Sequence, residues 1–133
     1  MSSASETTLG RVKYLILIYS NPETRQVWDT LPVEQRSVGL DAYAKLTGDL
    51  AASGELIANA ALAQPSAAKT VTVSQGEVVV SDGPFAEVKE YLAGIYLIEC
   101  ESEERAIEAA ARVPEAQVMR IEVRPVIELS DFL

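Results

Sequence analysis

The chain has 133 residues, of which 48% are apolar, and a net charge of −9. That length suits one ordinary domain, and the apolar share is enough for a packed core, which excludes wholesale disorder. The negative charge opposes general binding to phosphate backbones and leaves open a basic protein partner, while one cysteine and no histidine exclude an internal disulfide, an imidazole base and the commonest metal ligand.

Met1 to Gly10 is rich in Ser and Thr, without the basic start and apolar stretch of a signal peptide. Residues 1–11 read as a flexible tail and 12–133 as the domain. Lys13 to Tyr19 (KYLILIY) is a near-continuous apolar run, as in a strand buried on both faces. Asn21-Pro22 breaks it, and a short helical turn carrying Val27 and Trp28 follows. Pro32 suits the first turn of a helix. Gly39, Tyr43, Leu46 and Leu50 then form one stripe, and Ser53-Gly54 supplies a stop, which gives a helix over about 33–53.

Glu55 to Leu62 is a strand of weaker propensity. Thr70 to Ser74 alternates, and Glu77 to Val80 continues after Gln75-Gly76, the signature of a hairpin. Asp82-Gly83-Pro84 is the strongest breaker in the chain. Ile95 to Cys100 reads as a strand with Cys100 in the core. Ser102-Glu103-Glu104 caps a helix whose expected stripe is Ala106, Ile107, Ala110 and Val113, ended by Pro114. Val118 to Val126 is the last strand, expected to lie centrally in the sheet, and Pro125 marks an edge or a bend.

This order predicts an α+β fold, a ferredoxin-like βαββαβ sandwich with an inserted β-hairpin. Alternation separates Tyr14, Ile16 and Ile18 from Lys13, Leu15, Leu17 and Tyr19. It separates Tyr96 and Ile98 from Ile95 and Leu97, and Met119, Ile121 and Val123 from Arg120, Glu122 and Arg124. The second sheet face is thus apolar and aromatic with a few charges, a surface that a second subunit usually covers. A homodimer packed sheet on sheet is expected, with a pocket between or beside the sheets.

KYLILIY, DGPFAEVKE, GIYLIE and IEVRPV together resemble the DGPF-domain branch of the YCII-related proteins, over Val12 to about Val126. The resemblance implies the dimeric α/β barrel, built from ferredoxin-like subunits joined through their sheets. Members are widespread in bacteria, and many are encoded beside extracytoplasmic-function sigma factors. A His-Asp pair proposed for the wider group cannot be carried over to a chain without histidine. A few relatives act on chlorinated aromatics, and no residue here transfers that activity.

Four residues are the candidate catalytic groups. Asp82 is a carboxylate for a pocket mouth, although the turn alone would also explain it. Lys89 follows that turn and is expected to pair with Asp82, Glu87 or Glu122, or to hold an anionic or carbonyl ligand. Glu122 and Arg124 lie side by side on one strand face. Their plain role is an interface ion pair; their functional one is an acid/base with a guanidinium fork for a carboxylate or enolate. Tyr19, Phe85, Glu87 and Tyr96 are the candidate ligand contacts, although such tyrosines more often belong to a core or an interface. No cofactor or metal site is expected. No apolar stretch reaches the roughly 18 residues of a membrane span, so a cytoplasmic location is expected. The sequence leaves three functions open: a cofactorless acid/base enzyme, a ligand-sensing partner of a sigma factor, or an interaction module.

Overall fold

The computed structural model describes residues 10–84 and 89–133. The expected tail falls mainly on residues 1–9, and the candidates Phe85 and Glu87 fall within 85–88; both segments lie outside the described residues. In chain order the elements are β1 (Val12–Ser20), α1 (Pro22–Thr30), α2 (Val33–Ala52), β2 (Leu56–Ala61), β3 (Lys69–Ser74), β4 (Glu77–Asp82), β5 (Tyr91–Cys100), α3 (Glu103–Ala111) and β6 (Ile121–Pro125). This is a mixed α+β architecture. Its antiparallel sheet runs β2-β5-β1-β6, and β3 and β4 form a separate two-stranded hairpin. The strand order is compatible with a ferredoxin-like fold.

Local chemistry sets the boundaries. The Asn21 side chain accepts the Thr24 N–H at 2.7 Å and starts α1 directly after β1. Pro32 stands just before α2 rather than inside it. Ser102 caps α3 by accepting the Arg105 N–H at 3.1 Å. Gln75 and Gly76 have φ of 52° and 82°. Two consecutive positive values are what a tight hairpin turn demands, and glycine bears the second without a Cβ clash.

One face of the sheet carries Tyr14, Ile16, Ile18, Tyr96 and Ile98, which pack with Leu46 and Leu50 of α2 and Ala106, Ala109 and Ala110 of α3. Cys100 is fully buried there, and burial pushes its thiol pKa up. Glu55, between α2 and β2, is also buried. Its carboxylate accepts from Arg105 Nη2 at 2.8 Å, Arg105 Nε at 3.0 Å and Ser53 Oγ at 2.7 Å. These bonds, the arginine's foremost, hold Glu55 below the usual carboxylate range and tie the start of β2 to α3.

Three expectations need correction. The last strand is shorter than 118–126, because Pro114–Gln117 forms a 3-10 turn and the pairing of β6 with β1 begins at Ile18↔Ile121. That strand is an edge strand rather than a central one, in keeping with Pro125 at its end. Ile107 leaves the buried stripe of α3: Ala106, Ala109, Ala110 and Val113 are buried at helical spacing, and Ile107 is half exposed beside them.

Candidate functional site

The face of the sheet away from the core is where charge gathers. Register places Leu15 beside Arg124 and Leu17 beside Glu122 across β1 and β6. The next residue of that face on β1 is Tyr19, at a bulge between Ile18 and Tyr19 in the pairing with β5. Bulges re-aim side chains, and the Tyr19 hydroxyl donates to Glu122 Oε1 at 2.8 Å. Arg124 Nη2 donates to both Glu122 oxygens, at 3.0 and 3.1 Å.

A second arginine extends the cluster. Arg120 lies immediately before β6, and its guanidinium carbon is 4.8 Å from the centre of the Tyr19 ring, a cation–π contact. It also donates to Glu90 Oε1 through Nη2 at 2.8 Å and Nε at 3.0 Å. Glu90 reaches this place because Ser20 pairs with Tyr91, which sets the residue before β5 beyond the end of β1. The result is a continuous line from Glu90 through Arg120, Tyr19 and Glu122 to Arg124, drawn from β1, β6 and the residues just before β5 and β6.

The electrostatics follow from these bonds. The Tyr19 hydroxyl and the Arg124 guanidinium hold Glu122 below the usual carboxylate range. The same bond to Glu122, helped by desolvation, raises Tyr19 above an ordinary tyrosine. Glu90 raises Arg120, which stays charged. Both guanidinium groups keep 61% of their side-chain surface exposed, against 39% for Glu90 and 38% for Glu122. The cationic donors are thus the more exposed members of a cluster that lies open to solvent. Behind Arg120, between α3 and β6, an open depression of about 490 Å3 is lined by Ile107, Ala110, Met119, Ile121 and Val123 among others.

A family model for the YCII-related domain matches residues 12–130. The chain belongs to that family. It is also similar to an uncharacterised protein of Rhizobium meliloti (strain 1021), 35% identical over 114 residues that cover 84% of this chain and 90% of the relative. No helix among the described residues is long and apolar enough to cross a membrane.

In this YCII-related domain the structure unites three of the residues singled out from the sequence: Tyr19, Glu122 and Arg124. Tyr96 is not with them. It lies on the core face, 2% exposed, with its hydroxyl 2.8 Å from Thr47 Oγ1, because its place in β5 puts it among the residues that meet α2. Asp82 is also elsewhere. It ends β4 opposite Lys69 and forms an exposed ion pair with it. Gly83 accepts from Thr70 Oγ1 at 2.8 Å and donates its N–H to Ala68 at 2.7 Å, so Asp82-Gly83 closes the base of the hairpin. Lys89 is exposed, and its expected partners Asp82 and Glu122 are bound to Lys69 and to Arg124 and Tyr19.

The sequence candidates omitted Arg120 and Glu90. Arg120 had a readable signal, the alternation Arg120, Glu122, Arg124 on one strand face. Glu90 had one too, the charged run Glu87, Lys89, Glu90 that follows the DGPF turn and that the sequence directs toward this sheet face; the β1–β5 register and its bulge set Glu90 beside Arg120.

Proposed function

We propose that this YCII-related domain binds a small organic anion with an apolar body on the outer sheet face, between the sheets of a homodimer. The observation that carries this reading is the outward pair of guanidinium groups, Arg120 and Arg124, at the rim of an apolar strip that includes Leu15, Ile95 and Leu97. Their remaining N–H donors suit a carboxylate or enolate, and planar forks favour such groups. The strip is half buried in one copy, as expected of a surface that a second copy completes.

Binding fits the site better than proton transfer. A useful general base has a pKa near the working pH. Glu122 is shifted the other way, so at neutral pH it serves as a fixed acceptor that orients Tyr19 and Arg124. The net charge of −9 favours a further reading, a regulatory contact with a basic partner such as a sigma factor; co-purification with a sigma factor encoded beside it tests that contact.

The ligand reading is tested by titrating octanoate, with octan-1-ol as the neutral control, and following backbone amide shifts. Octanoate should move the amides around Tyr19, Arg120 and Arg124, and Arg124→Gln should weaken it roughly tenfold or more, the loss of about 1.5–3 kcal/mol from a charged hydrogen bond. Equal shifts from the alcohol, or none from either at millimolar concentration, would refute it. A clean monomer at micromolar concentration by light scattering would remove the dimer.

A further inference from the structure

Among the described residues, the β3–β4 hairpin packs on no other strand or helix to any extent. Of its residues only Thr70 is other than exposed. Register shows that its two faces differ. Val71 stands opposite Val80 and Val73 opposite Val78. Directly paired residues share a face, so these four valines form one side, and they are 57–67% exposed. Thr70, Thr72, Ser74, Glu77, Val79 and Ser81 form the other. An isolated two-stranded hairpin is marginal in water. A ribbon with one apolar face and one largely polar face is patterned to lie on something.

The base of this ribbon is fixed. Lys69 pairs with Asp82, and Gly83 is bound on both sides by Ala68 and Thr70. Asp82-Gly83 therefore holds the root of a projecting arm.

We propose that the hairpin is a dimerisation arm whose valine face packs on a second copy of this chain; the inference rests on the homodimer proposed above. Area supports the choice of occupant. The sheet face is four strands wide, about 20 Å, and its strands run from five residues in β6 to ten in β5, about 25 Å on average. Its footprint is roughly 500 Å2, while a stable interface takes about 800 Å2 from each partner. An arm of two six-residue strands adds roughly 200 Å2. Under two-fold symmetry each copy gives one arm and receives one, which closes the gap. The receiving copy also offers bare apolar surface, since Leu129 and Phe132 of the C-terminal 3-10 turn are 84% and 75% exposed.

Sedimentation equilibrium on the full chain tests the arm. The double variant Val73→Thr, Val78→Thr keeps β-branched shape and strand propensity while removing apolar surface. It should raise the dimer dissociation constant at least tenfold, whereas Val79→Thr on the opposite face should change it less than twofold. Circular dichroism should show the same fold in all three. A dimeric wild type with an unaffected double variant overturns the arm and leaves the dimer standing, as does equal weakening by Val79→Thr. A monomeric wild type overturns the dimer and the arm with it.

Discussion

The Glu55–Arg105 pair makes the most demanding prediction about what holds the domain together. Glu55→Gln keeps the shape of the side chain and removes its charge. In the wild type the carboxylate receives three donor groups: Arg105 Nε, Arg105 Nη2 and Ser53 Oγ. Breaking a buried pair costs about 3–5 kcal/mol where the stranded charge has no escape. Arg105 has an escape, because 27% of its side chain is exposed and Glu108 remains 3.2 Å away. The amide oxygen of Gln also still accepts one bond. The expected loss is therefore about 2 kcal/mol. Urea unfolding followed by circular dichroism, at one fixed protein concentration, should show a midpoint lower by roughly 1 M for a slope near 2 kcal/mol per M.

The pH dependence gives the sharper check. The folded state holds Glu55 below the ordinary glutamate value of 4.5. The unfolded chain therefore takes up the proton first as the pH falls. The pair contributes in full above that ordinary value and loses its contribution as pH falls through the lower folded one. The gap between wild type and Glu55→Gln should be widest near neutrality and shrink in acid. A gap that is the same at pH 7 and pH 3, or smaller than about 0.5 kcal/mol at pH 7, would refute the reasoning.

Two further outcomes follow from the site and the core. Ultraviolet titration should show Tyr14, Tyr19 and Tyr43 ionising above the ordinary range, and Glu122→Gln should bring Tyr19 alone back down with little change in stability, as for an exposed pair. Cys100, fully buried with a raised pKa, should react with a thiol reagent at pH 8 only slowly in the native state and at full rate in denaturant; fast native labelling would show that this part of the core opens.

Much of the fold was legible because its signals are local. The apolar run of β1, the Leu46 and Leu50 stripe, the Gln75-Gly76 turn and the Ser102 cap all act within a few residues of themselves. The errors arose where distant chain segments decide. The position of β6 at the edge depends on sheet order, and the exposure of Ile107 on which side of α3 meets the sheet. Tyr19, Glu122 and Arg124 were found together because alternation assigns faces. Tyr96 was placed with them although the same alternation put it opposite, on the reasoning that a buried hydroxyl needs a partner. Thr47 supplies that partner inside the core. Asp82 sits in a conspicuous motif that suggests a site carboxylate, yet it pairs with Lys69, its neighbour across the hairpin.

The two borders of the sheet have a consequence for how the protein behaves in a crowded solution. β6 alternates Glu122 and Arg124 and finishes at Pro125, while β2 is interrupted by a bulge between Leu56 and Ala58. Charges, proline and bulges all deny a neighbouring strand a regular ladder. Neither border invites another chain to continue the sheet, so growth into fibres is blocked on both sides. In the homodimer proposed above, contact through the broad apolar face would close on itself after two copies, so that face could stay apolar at little risk.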